Sequence, residues 1–316
     1  MTWLNLTIIS YLMLAIVNLG DKFVVDKLLS SSKAYAFIVT VLSALVFLLA
    51  PWFLKWPGLN LFLLNTLSGS FFVFAIWSMY EALKRGEASR VVVVIGGIIP
   101  IFSMLFSLII FKETYTATQY LGFVCLLIGM FIIGFLLSRR KKTSVFFKRL
   151  LTVFTGTYKK RWIFLAIVSS LLYSLSFITS KIAYTEQEFW SAFIWIRGGG
   201  LLVVLIFLLD RDSREEIFKS FKKKSKAPAK IGKGFVVFNQ ALGSISFVMQ
   251  NYAVFLGPVA LINALQGIQY TFLLILGIFF TIFFPKILKE DISRPVLIRK
   301  IIAILFIGLG LFFITI

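Results

Sequence analysis

The chain has no histidine and a single cysteine, Cys125, among its 316 residues. Without histidine there is no imidazole metal ligand, no imidazole proton relay and no Ser/His or Cys/His catalytic pair. The lone cysteine sits inside an apolar run, so a disulfide framework is excluded. Acidic residues are scarce, 13 against 33 lysines and arginines. None falls in the middle of an apolar run, so a carboxylate that exchanges protons for cationic drugs has no obvious place. The one acidic group in a link, Arg211-Asp212-Ser213-Arg214-Glu215-Glu216, is diluted with arginine. Prenyl or acyl transfer within a membrane needs an acidic metal-binding cluster or an embedded base. The chain is therefore read as no enzyme, with no cofactor and no metal. The N-terminus also lacks the basic start and small-residue cleavage site of a signal peptide, and none is expected.

What is there is apolar: 59% of the residues are hydrophobic and the mean hydropathy is +0.96, far beyond an average globular domain. Runs near the roughly 20 residues that a bilayer-crossing helix needs recur along the whole length. Ten spans are expected: 3–23, 34–53, 59–82, 91–111, 120–137, 162–184, 189–209, 234–255, 259–284 and 297–316. The predicted fold class is an all-α polytopic membrane protein. Gly96, Gly97 and Pro100 lie inside the fourth span. Such residues are tolerated in a membrane helix where neighbours or a cavity satisfy the freed backbone groups.

The basic residues alternate with the spans. Those in links fall almost wholly after the first, third, fifth, seventh and ninth spans, whereas the other side holds only Lys55, Lys112 and Lys181. Positive charge is retained on the inner side of the membrane. That predicts a multi-pass protein of the cell membrane with cytoplasmic basic links and both termini outside. The net charge of +20 then reflects topology and contact with anionic lipid headgroups rather than nucleic acid. The basic links occupy odd places in the first five spans and even places in the last five, so the two halves insert in opposite senses. That is the requirement for an inverted repeat. The predicted organisation is a first five-helix repeat over 1–138, a basic link over 139–161 and a second repeat over 162–316.

Weak sequence echoes accompany the charge inversion. Ala82-Leu83 to Gly86 overlays Ala253-Val254 to Gly257, which places Gly96 on Gly267, and Lys22 falls on Lys181. Ala82, Leu83, Ala88, Ser89, Pro100, Glu113 and Gly122 form a further pattern: an Ala-Leu turn, an Ala-Ser helix start, a mid-helix proline, then a glutamate and a glycine. This stretch resembles the EamA-type members of the drug/metabolite transporter superfamily. The ninth span departs from the pattern, carrying Tyr270-Thr271 in place of a mid-helix proline, and its following turn is lengthened to Pro285–Pro295. The resemblance implies ten helices in two inverted repeats around a central substrate cavity, working by alternating access.

Neutral polar side chains within apolar helices mark an interior, as cavity lining or as interhelical glue. In the ninth span Asn263, Gln266 and Gln269 share one helical face with Tyr270. Gln240, Ser244 and Asn251 share one in the eighth, with Gln250 beside it. Tyr173 in the sixth span, Trp77 in the third and Asn18 in the first extend the set, as does Pro100. Arg197 in Ile196-Arg197-Gly198-Gly199-Gly200 is the most embedded charge. It is expected either to meet a carboxylate or phosphate, or to snorkel outward or pair with Glu186 or Glu188, and the second reading is preferred. Its glycines would let another backbone approach closely. The combined reading is a secondary transporter of a small, amino-acid-like polar metabolite. The alternative is a flippase for a phospholipid or lipid-linked sugar, which would need Arg197 or Lys22 facing lipid. A small-molecule substrate, anionic lipid at the basic links and a homodimeric assembly are the partners this reading allows.

Overall fold

The structure is a computed structural model that describes residues 2–24, 31–85, 88–137, 161–222, 233–283 and 294–316. The 139–160 link, most of the Pro285–Pro295 turn and the side chains of Asp21, Lys22 and Ser89 lie outside the described residues. Among the described residues there are helices and no strands. They are α1 (Trp3–Val24), α2 (Ser32–Ser43), α3 (Leu59–Arg85), α4 (Ala88–Phe106), α5 (Ala117–Leu137) and α6 (Arg161–Glu186). These are followed by α7 (Phe189–Leu209), α8 (Arg211–Lys222), α9 (Lys233–Leu256), α10 (Val259–Ala264), α11 (Gln266–Phe283) and α12 (Arg294–Thr315). By length and composition, 8 described helical stretches can cross a membrane. Their outward faces carry large apolar side chains such as Leu48, Trp52, Phe164 and Leu209, the last 81% exposed. Lipid, unlike water, accepts such a surface without penalty. This is a multi-pass membrane protein.

Helix ends are set by local chemistry. The Ser31 hydroxyl accepts from the Ala34 amide to cap α2. Beyond Ser43 the chain tightens into a 3₁₀ segment, Ala44–Leu49, and one α-turn, Ala50–Phe53. Pro51 opens that last turn, where a missing N–H costs nothing. The end of α4 widens into a π-turn over Ser107–Phe111, stopped by Lys112 in the left-handed region at φ 52°.

One expectation is corrected here. The polar stretch from Asp210 onward, read as a link, begins with the helix α8. Its Ser213 and Ile217, one turn apart, are buried, Ile217 fully so, while i,i+4 pairs Arg211–Glu215 and Lys219–Glu215 line its outer face. The Asp210 carboxylate caps α8, accepting from the Ser213 hydroxyl and, at 2.9 Å, from its amide. Those bonds hold the Asp210 carboxyl below its ordinary range. The cap is thus complete at neutral pH and is lost as pH falls through that lowered value. Asp210→Ala is expected to speed amide exchange over 211–217 at neutral pH, with Asp210→Asn close to wild type. The Lys33 ammonium donates to Ser213 at 2.6 Å and Ser31 donates to Glu216 at 2.7 Å, so α8 is tied to the start of α2.

In lipid, helices associate through close packing of small residues and through interhelical hydrogen bonds. Both devices appear. A Cβ added at Gly69 of α3 would overlap the Ile196 carbonyl, and one at Gly199 of α7 would overlap the Thr66 backbone. Likewise α5 and α12 meet where Gly122 approaches the Gly310 carbonyl and Gly129 the Ala303 carbonyl. Between α3 and α6, Ser68 and Ser176 each donate to the other's carbonyl at 3.0 Å, and Ser169 donates to the Ala75 carbonyl at 2.9 Å.

The pairing of helices has a pattern. In the first half of the chain α1 packs against α9 and α11, and in the second half α6 packs against α3 and α4. Helix α4 also meets α10, and α5 meets α12. Exchanging α1 with α6, α3 with α9, α4 with α10 and α11, and α5 with α12 returns these named pairings, while α3 packs in addition on α7.

Candidate functional site

The ninth span is not one helix. It breaks at Leu265, between α10 and α11, within the Asn263–Gln266 stripe. At the break the Leu265 amide still donates to the Leu261 carbonyl at 3.0 Å, while the Ile268 amide turns to the Leu265 carbonyl at 2.9 Å. The Ile262 carbonyl, which Gln266 would satisfy in a continuous helix, instead accepts from the buried Tyr11 hydroxyl of α1 at 3.0 Å. Gln250 of α9 in turn donates to that hydroxyl at 3.2 Å. A freed backbone carbonyl inside a membrane protein needs a donor from elsewhere, and α1 and α9 supply it.

On the other side of the break, Asn263 donates to the Ser103 hydroxyl of α4 at 2.8 Å. Ser103 lies one turn beyond Pro100 and donates to the Ser174 hydroxyl of α6 at 3.4 Å, and Ser174 reaches the Ile99 carbonyl at 3.0 Å. Tyr270 places its hydroxyl against Gly96, so that a Cβ there would have to push the phenol aside. A polar thread thus runs from α6 through the proline-bearing helix to the broken one.

A second polar group lies between α6, α7 and α9. The Tyr184 hydroxyl donates to the Asn251 carboxamide oxygen at 3.1 Å, and the Asn251 amide reaches the Phe247 carbonyl at 2.9 Å. Beside them is the Arg197 guanidinium, 4% exposed, 4.6 Å from the Phe72 ring, 4.8 Å from Phe193 and 4.5 Å from Phe247. Its Nε is buried with no hydrogen-bond partner. This corrects the preferred expectation: Arg197 neither snorkels outward nor pairs with Glu188, which is bound to Lys55 at 2.7 Å.

The other sequence candidates divide. Asn263, Gln269, Asn251 and Pro100 are buried and Gln266 is half-buried. Tyr173 is half-buried, its ring 6.0 Å from Phe72. Trp77 packs on Phe207 at 5.5 Å, with the Lys33 ammonium 5.6 Å above it. Asn18 and Gln240 are exposed; on α9 the amide turned inward at that level is Asn239, which reaches the Val17 carbonyl at 3.3 Å. Sequence reasoning did not single out Ser103, Ser174, Tyr184, Phe72 or Phe247. Ser103 had a signal, since it falls on the helical face of Pro100; the phenylalanines had none among 36 of their kind.

Near the turns that follow α4 and α9, a cleft of about 210 Å³ is lined by Glu113, Thr114, Tyr115, Gln119, Pro258 and Leu261. The Tyr115 hydroxyl donates to Glu113, and burial together with that carboxylate pushes its pKa above the ordinary phenol value. Below the cleft the Lys181 ammonium of α6 donates to the carbonyls of Val254, Phe255 and Gly257 at 2.9, 2.9 and 3.0 Å. It closes the C-terminus of α9.

Residues 1–135 match the EamA-like transporter family, a family of membrane transporters. No curated protein matches the chain. A solved structure described as "Crystal structure of protein" aligns over 99% of this chain and 95% of its own, at 14% identity and a TM-score of 0.62. At that identity the likeness is one of fold, and it runs the length of the molecule.

Proposed function

We propose that this chain, EamA-like over its first 135 residues, is a secondary transporter that carries a small polar metabolite across the membrane by alternating access. In this reading 1–138 and 162–316 are inverted five-helix repeats, the basic links face the cytoplasm and touch anionic lipid, and both termini are outside. The reciprocal pairing of α1 with α9 and α11, and of α6 with α3 and α4, is what two such repeats would make. The observation that carries the reading is the broken ninth span, whose Asn263 is held by Ser103 on the equivalent helix of the other half. Discontinuous helices near the mid-membrane, at the junction of repeats, are where transporters of this architecture hold their solutes. Asn263, Gln266 and Gln269 are then the solute-facing amides, and the Asn263–Ser103 bond is one that rocking of the halves would break and remake. The lipid-carrier alternative asks for Arg197 or Lys22 to face lipid; Arg197 is enclosed, and the Lys22 side chain lies outside the described residues.

The test is counterflow in proteoliposomes with a panel of labelled amino acids, sugars and nucleosides. At least one solute should exchange. Asn263→Ala should cut that exchange by about tenfold, the scale of one buried hydrogen bond to an uncharged group, in protein that still folds, with a melting temperature lowered by a few degrees for the lost Ser103 bond. If no solute exchanges through folded protein, or if Asn263→Ala exchanges at the wild-type rate, the proposal is wrong.

A further inference from the structure

The geometry points to Arg197 as the binding site for the carboxylate of a monoanionic organic substrate with an apolar body. This inference rests on the transporter reading and names its substrate class. The guanidinium is 4% exposed, yet no acid appears among the buried polar and charged residues described. The acids closest in sequence, Glu186 and Glu188, are exposed, and Glu188 is taken by Lys55. A buried charge is normally paired because its desolvation is costly. Among the described residues it is met by the faces of Phe72, Phe193 and Phe247, which attract a cation without neutralising it.

The free Nε sets the chemistry of the missing partner. A guanidinium edge offers parallel donors that match a planar carboxylate. A single positive charge balances a monoanion. A phosphate dianion would need a second cation, and Lys181, also on α6–α9 ground, already donates to three carbonyls. The rings around Arg197 favour an apolar body behind the carboxylate over a hydrated one. Access follows from the same residues. Phe72 of α3 and Phe247 of α9 meet at 5.3 Å, and α3 and α9 hold equivalent places in the exchange of the two halves. Parting those helices would separate the two rings and uncover the guanidinium between them.

The experiment uses the full chain purified in detergent and titrates 4-methylpentanoate and phenylacetate against their uncharged amides, 4-methylpentanamide and phenylacetamide, with inorganic phosphate as competitor. At least one acid is expected to raise the melting temperature saturably, and its amide is not. Arg197→Lys should weaken acid binding about tenfold and Arg197→Gln roughly thirtyfold or more, as for the loss of one member of a buried charge pair. Equal binding of acid and amide by wild type would overturn the inference, even where neither variant folds. So would unchanged acid binding in Arg197→Gln, or phosphate displacing the acid at equal concentration. Acids that bind at Arg197 but do not exchange in proteoliposomes would sink the transporter reading and leave this site. Neutral solutes that exchange while no acid binds would do the reverse.

Discussion

Gly199→Ala is expected to destabilise the protein by about 3 kcal/mol or more, the upper range for overpacking a filled core, lowering its melting temperature by roughly 5–10 °C. One methyl is enough because of what it meets. The added Cβ would fall on the Thr66 Cα and carbonyl, backbone atoms of α3 that cannot rotate away. Gly69 on the facing helix is pressed against the Ile196 carbonyl and the Gly200 amide in the same seam, so α3 and α7 could admit the methyl only by moving apart along their length. Two controls isolate the cause. A Cβ at Gly198, next in the chain, would meet only the far edge of the Phe47 ring at 3.1 Å, and Gly308 of α12 has nothing within 4 Å. Gly198→Ala should cost little. Gly308→Ala should be neutral or stabilising, since alanine favours a helix over glycine by up to about 1 kcal/mol. A Gly199→Ala protein that melts with its Gly308→Ala counterpart would show that the seam is not closed as described.

That seam was partly legible. Three consecutive glycines after Arg197 announce that something approaches closely, and the structure supplies α3 as the approaching backbone. The long apolar elements were legible too: Phe189–Leu209 has the same limits in sequence and structure, because hydropathy and helix length are local properties. The environment of Arg197 was not. Its depth along the chain suggested a side chain able to reach water or Glu188, whereas the cage comes from Phe72 and Phe247 on two other helices, and nothing local marks two phenylalanines among many. Helix α8 was hidden for a related reason. Its Arg211–Lys222 sequence is dense in charge, and the Ser213–Ile217 pair reads as a buried face only once α2 and α7 lie beside it. The polar stripes included residues that are buried, Asn251, Asn263 and Gln269, and others that are exposed, Asn18, Gln240 and Ser244, and they named no partners. Asn263 looked like cavity lining or glue, and the structure adds that it is bonded to Ser103 beside a helix break at Leu265, two residues before Gly267.

Lys181→Met is the other substitution with a large expected effect. The ammonium of Lys181 donates to three carbonyls at the end of α9, where an α-helix leaves its last carbonyls unsatisfied and carries partial negative charge. Gly257-Pro258 follows at once, so these carbonyls gain no further helical turn. Methionine keeps the length and apolar stem of lysine and removes only the donors. Hydrogen bonds to a charged group contribute about 1.5–3 kcal/mol, and a half-buried site shares part of that with solvent, so a loss of roughly 2–4 kcal/mol is expected. The loss should be local first. Amide exchange should rise over 253–259 and at the α10 start while α5 and α12, packed elsewhere, keep wild-type protection. Lys181→Arg tests the geometry: a planar fork cannot converge on three carbonyls as a tetrahedral ammonium does, so it should recover only part of the stability. Because α9 carries Phe247 and Asn251 on the same rigid rod, loosening its end also loosens the cover over Arg197. A Lys181→Met protein should therefore expose that guanidinium more often, and the rate of acid association should rise even as the melting temperature falls. Wild-type exchange over 253–259 in Lys181→Met would mean that solvent or lipid headgroups replace the ammonium without loss, and that Lys181 does not hold the end of α9.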